Sequence, residues 1–158
     1  MKTKAVAQHK QRLDALFKLV QSLPSTTNTD IELRSHLARY LCVLTSGFVE
    51  SSVRHILSEY AKARAAPEIQ KFVESKLREF QNAKMEKILL LVQCFNERWE
   101  ENLRVSTEGE LKDAVDSVVT TRHSIAHGGS TGITYATIQS YYEAVVKVVE
   151  ELEKCCGL

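Results

Sequence analysis

A chain of 158 residues with 44% apolar and 26% charged residues has the balance of a globular protein. It is long enough for one domain with a real core and too short for two of ordinary size, so residues 1–158 are expected to form a single domain. Lys and Arg number 21 against 20 Asp and Glu, a net charge of +1, which excludes a basic nucleic-acid-binding tail and requires any phosphate binding to come from a local cluster. The first stretch, MKTKAVAQHKQRLDALFKLV, breaks its apolar residues with Lys, Gln, His and Arg and so lacks the apolar region of a signal peptide. Its helical spacing of Val6, Leu13, Leu16, Phe17 and Val20 predicts a first helix.

Pro24 and STTNTD then predict a loop, with Asp30 capping a long second helix from about Ile31 to Arg64. Between Tyr40 and Leu57 this helix carries only Glu50 and Arg54 as formal charges. A helix that is apolar nearly all round belongs at the centre of a bundle. Pro67 suits the first turn of a third helix, on which Ile69, Phe72, Val73, Leu77 and Phe80 face one way. A fourth is expected from Ala83, with Met85, Ile88, Leu89, Val92 and Trp99 inward. Its run Ile88–Val92 is the longest strongly apolar one in the chain, far short of the ~20 residues of a membrane span. Thr107-x-x-Glu110 has the form of a capping box, and Leu111, Ala114, Val115, Val118, Val119, Arg122, Ile125 and Ala126 follow as one inward stripe. Gly128 and Gly129 stop that helix, and Thr134 caps a last one with Ile138, Tyr142, Val145, Val149 and Leu152 inward. No stretch alternates at period two, so the fold class is all-α, a bundle of five to six helices. Cys42, Cys94 and the adjacent Cys155 and Cys156 form no disulfide framework and no C-x-x-C, which fits free thiols in a reducing cytoplasm.

The chemistry concentrates in TTRHSIAHGGSTG, residues 120–132. Arg122 stands on an inward stripe, where its charge needs a counter-ion: a structural acid, or a bound anion gripped by the guanidinium fork. His127 sits where the helix ends, exposed enough to exchange protons. His123 and His127, four apart, have the spacing of a zinc pair. Ser124 stands where the H-E-x-x-H motif has its glutamate, and no third ligand is spaced to join them, so no metal or other cofactor is expected. GGSTG lacks the G-K-[ST] ending of a phosphate loop and follows a helix, so it reads as cap and loop. Glu50 has two candidate partners: Arg122, which it would orient, or Arg54 at i,i+4.

The segment TTRHSIAHGGSTGITYATIQSYYEAVVKVVEELE resembles the end of a HEPN domain (higher eukaryotes and prokaryotes nucleotide-binding), most of all the RiboL-PSP type. The R-x4-H of Arg122 and His127 within RHSIAHG carries the resemblance. So do the loop and final helix with Thr134, Ile138, Tyr141 and Tyr142, and the earlier helix RYLCVLTSGFVESSVRHILSEY. The resemblance implies a face-to-face homodimer with a composite active site. It also implies metal-independent RNA endonuclease activity by Arg122 and His127, in a toxin or phage-defence setting with an antitoxin or neighbouring defence protein as partner. The position after the arginine is commonly a polar residue such as asparagine in that family and is His123 here, which leaves its role open. Where antitoxin-paired members carry a tyrosine two positions after the histidine, this chain has Gly129, so that regulation is not implied. The alternative is a non-catalytic dimeric module binding RNA, nucleotide or protein. For cleavage, one base takes the 2′-OH proton, the oxygen attacks phosphorus, and one acid protonates the leaving 5′ oxygen, giving a 2′,3′-cyclic phosphate and a 5′-OH. One His127 per chain supplies a single proton-transfer group, and a twofold dimer supplies two.

Overall fold

Two prolines and six glycines leave long stretches of this chain with nothing to break a helix. The computed structural model describes residues 1–129 and 131–158, and these hold seven helices and no strand. In chain order they are α1 (Lys4–Ser22), α2 (Asn28–Arg64), α3 (Pro67–Glu79), α4 (Met85–Gln93), α5 (Glu97–Thr107), α6 (Glu110–Ala126) and α7 (Tyr135–Cys155). Ser130, in the loop expected after the glycines, lies outside the described residues.

The count exceeds the expected five to six because the fourth helix is two. Asn96 ends the run after α4, and its side-chain oxygen accepts from the backbone N–H groups of Arg98 (2.9 Å) and Trp99 (3.3 Å), restarting the chain as α5. Two caps also move. Thr27, not Asp30, is the N-cap of α2; Asp30 is the third residue of its capping box. Thr107 caps nothing: it is the buried last residue of α5, its hydroxyl donating to the Leu103 carbonyl, and α6 starts after Gly109 at φ +80°.

Cross-helix hydrogen bonds set the directions. His9 pairs with Ser51 (3.0 Å) and the Arg34 guanidinium donates to the Leu23 carbonyl (2.8 Å), so α1 and α2 run antiparallel. Tyr142 donates to Asp14 (2.7 Å) and Tyr135 to the Phe17 carbonyl (2.9 Å), so α7 is also antiparallel to α1 and therefore parallel to α2. A short loop turns α6 back on α7, which leaves α6 antiparallel to α2, with the Cys42 thiol 3.6 Å from the Val118 carbonyl. The central position of α2 follows: it packs against α1, α3, α6 and α7. Phe48 of α2 and Phe17 of α1 meet on the Tyr142 ring, and one core draws residues from all seven helices. Each fully buried Leu, Ile or Phe there stabilises the bundle by roughly 1.5–3 kcal/mol.

At the opposite end Glu153 of α7 caps α1, which has no side-chain cap of its own. Its carboxylate accepts the backbone N–H groups of Lys2 (2.9 Å) and Thr3 (3.0 Å), placing negative charge where the helix dipole favours it. No helix among the described residues is long and apolar enough to cross a membrane, and all four cysteines are free thiols.

Candidate functional site

The antiparallel pairing gathers four chain segments at one end of the bundle: the end of α1, the start of α2, the end of α6 and the start of α7. From the Cys42–Val118 contact, about one helical turn towards that end reaches Arg39 on α2 and Arg122 on α6. Arg122 is half-buried on the inward stripe whose earlier members, Ala114, Val115, Val118 and Val119, are buried. No carboxylate among the described residues lies within ion-pair distance of its guanidinium.

His127 is the C-cap of α6 and is exposed. Its place is fixed by the two glycines after it. Gly128 takes φ +74°, a left-handed conformation costly for any residue with a Cβ, and its N–H donates to the Ile125 carbonyl (3.1 Å). Gly129 then donates to the Ser124 carbonyl at 2.8 Å. This double closure is a Schellman motif, and it stops the helix so that the imidazole stands clear of it. A Cβ on Gly129 would lie 3.0 Å from the Ser124 oxygen, so a larger residue there would crowd the turn.

His123 packs on His127 with ring centroids 4.4 Å apart and planes inclined by 59°. The two rings touch, and a phosphate does not fit between them. Among the described residues no third His, Cys, Asp or Glu joins them in a group of metal-ligating shape. Glu50 is not brought to this end. It lies 11 residues along α2 from Arg39, about 16 Å at the helical rise. Its carboxylate faces Arg54 at 3.9 Å and accepts the Asn82 backbone N–H at 2.5 Å, so it fastens the α3–α4 loop rather than orienting Arg122.

Two polar groups at the same end carry no signal in the sequence. Arg39 has a buried Nε with no hydrogen-bond partner among the described residues, and the Thr131 hydroxyl after the glycines is in the same state. Buried donors are ordinarily paired, so such groups need a reason. The surrounding charge supplies one. Residues 117–142 contain no Asp or Glu, nor do residues 33–49. On α6 the acids Glu110, Asp113 and Asp116 all lie in the first half, where Lys112 pairs with Asp116 at 3.0 Å, and the last half carries Arg122 and His123 with no acid. This end therefore presents Arg34, Arg39 and Arg122 with three histidines, His36, His123 and His127, and has few acids to answer them. It has the electrostatics of an anion site.

No curated protein and no solved structure matched the chain. The profile of the RiboL-PSP-HEPN family matches residues 7–157, nearly the whole chain and all seven helices, and the protein belongs to that HEPN family.

Proposed function

We propose that this protein is a single-domain, metal-independent endoribonuclease working as a homodimer. The observation that carries the reading is Arg122: a half-buried guanidinium on an inward stripe, without a carboxylate, at the bundle end that also holds an exposed His127 and an unpartnered Arg39 Nε. Those groups suit a phosphodiester. Arg122 would neutralise the charge growing on the non-bridging oxygens, where preorganised donors act most strongly. One His127 removes the 2′-OH proton; the 2′ oxygen bonds to phosphorus; the bond to the 5′ oxygen breaks; and a second His127 protonates that oxygen. Attacking and leaving oxygens lie on opposite sides of phosphorus. His123 and His127 of one chain touch each other, so they do not stand on those two sides. That favours a composite site, with the second His127 from a second copy and His123 bracing the ring of its own chain. Free RNA and free thiols suit the cytoplasm, and a domain that cuts RNA calls for restraint by an antitoxin or a defence partner that releases it during phage infection.

The test is RNA cleavage in EDTA by wild type, His127→Ala and Arg122→Ala. The expected outcome is cleavage that survives EDTA and falls by ~10² or more in His127→Ala, the usual worth of one acid or base. In purified mixed dimers of wild-type and His127→Ala chains, activity should fall far below half. Binding of RNA without cleavage by any protein would replace the enzyme with a binding module.

A further inference from the structure

Where α1 crosses the Ser51 turn of α2, the contact is built around a histidine. The half-buried His9 ring stands edge-on to Phe48, with ring centroids 5.2 Å apart and planes at 90°, and its Nδ1 lies 3.0 Å from the Ser51 hydroxyl. Ser51 has one hydroxyl hydrogen and directs it to the Phe48 carbonyl (3.2 Å), so His9 is the donor to Ser51, through Nδ1–H. The Ser51 carbonyl accepts in turn from the His55 ring at 2.6 Å. One serine thus fixes two imidazoles, one from each helix.

The acids around this contact are already engaged. On α1, Asp14 is held by Lys10 at 2.7 Å and accepts the Tyr142 hydroxyl of α7 at 2.7 Å. On α2, Glu50 faces Arg54 and accepts the Asn82 N–H. From α3, Glu74 is held by Lys62 at 3.6 Å, while Arg78 lines the hollow beside Ser51 and His55. Arg12, one turn beyond His9, is exposed and makes no ion pair among the described residues. A second proton on His9 would therefore meet Arg12 and His55 across a half-buried contact. Burial lowers the His9 pKa, and the charges of Arg12 and His55 lower it further.

We infer that His9 is a proton-sensitive latch between α1 and α2: the neutral ring docks α1 on Ser51 and Phe48, and the protonated ring is pushed out by Arg12 and His55, which loosens α1. The latch reaches the R-x4-H end, because the chain at the end of α1 holds Tyr135 through the Phe17 carbonyl and Arg34 through the Leu23 carbonyl. The folded chain binds the His9 proton less readily than the unfolded one. The latch is therefore complete above the free histidine pKa of ~6.5 and is lost as the pH falls from there through the folded-state value. The inference goes beyond the proposed function, and its test uses no RNA.

Proton NMR of the wild-type protein reads the titration directly. The His9 midpoint should lie below ~6.5 and should rise towards it in Arg12→Gln. Hydrogen exchange, corrected for its intrinsic pH dependence, should show α1 opening more often in acid than at neutral pH, by up to about tenfold for each pH unit between the two midpoints. His9→Asn keeps an N–H for Ser51 and cannot take the charge, so its α1 protection should hold over the same range and its Tm should fall less than that of wild type. A His9 midpoint at or above the free value overturns the inference. So does an equal loss of α1 protection in wild type and His9→Asn, opening spread evenly over all helices, or an Arg12→Gln midpoint equal to that of wild type. If His9→Asn does not fold, the wild-type midpoint and its response to Arg12→Gln decide the matter.

Discussion

Gly128 determines where His127 stands, because no side-chain hydrogen bond holds that imidazole among the described residues and the Schellman turn alone ends the helix beneath it. A Cβ at φ +74° costs about 1 kcal/mol. Gly128→Ala should therefore lower Tm by ~2–4 °C, as that cost does for a domain of this size. It should lower RNA cleavage at 25 °C, where the variant is still folded, by more than the loss of folded protein explains. Gly132→Ala is the control: a Cβ there meets nothing within 4 Å and the φ is not left-handed, so stability and cleavage should both hold. Cleavage unaffected in Gly128→Ala would mean that His127 needs no fixed position. At this scale the sequence is legible where chemistry is local. Arg122 on the inward stripe and His127 before the capping glycines are placed at the end of α6 by spacing and turn chemistry, as the structure has them. Arg39 is not legible, since an arginine in a long helix acquires meaning only when α6 is laid antiparallel across α2. The Asn82 partner of Glu50 is 32 residues away and carries no local signature.

Among the helices, periodicity works best where one face is covered throughout. Ile138, Tyr142, Val145, Val149 and Leu152 of α7 are all buried, as their spacing predicts. The third helix shows the limit: its stripe is real, but only Leu77 is buried, while Ile69 and Phe72 are 54% and 61% exposed along a groove. Periodicity finds an apolar face and does not say whether anything covers it. The break between α4 and α5 hinges on one Asn96 side chain inside a helix-compatible run, a choice made by capping rather than by pattern. The apolar centre of α2 predicts full enclosure, yet Tyr40 and Val43 are 52% and 37% exposed on its outer side, within one turn of Arg39. Apolar side chains beside the candidate site are where a second copy would dock to complete it. Val43→Glu should give a folded monomer by sedimentation, with wild-type helical circular dichroism and cleavage reduced ~10²-fold by loss of the second histidine. A dimer of unchanged strength would move the interface elsewhere.

Taken whole, the molecule is close to neutral and yet uneven. α6 runs from Glu110, Asp113 and Asp116 at one end to Arg122 and His123 at the other, and the acid-free segments 33–49 and 117–142 share that second end. To a polyanion nearby, the net charge of +1 would matter less than its distribution: an attracting pole at Arg34, Arg39 and Arg122, and a second pole where Glu110, Asp113 and Asp116 are only partly offset by Lys112. If RNA is the ligand, as proposed, the protein would be turned before it touches, and productive encounters would outnumber those of random tumbling. Stopped-flow association with RNA should slow steeply as ionic strength rises from about 20 to about 200 mM, while dissociation of the bound complex changes much less, the signature of steering rather than of tighter contact. Association rates flat across that range would show that the poles are too weak to orient anything. A chain with almost no surplus charge would thus find its target by the separation of its charges, and its speed in the cell would be set by the salt around it.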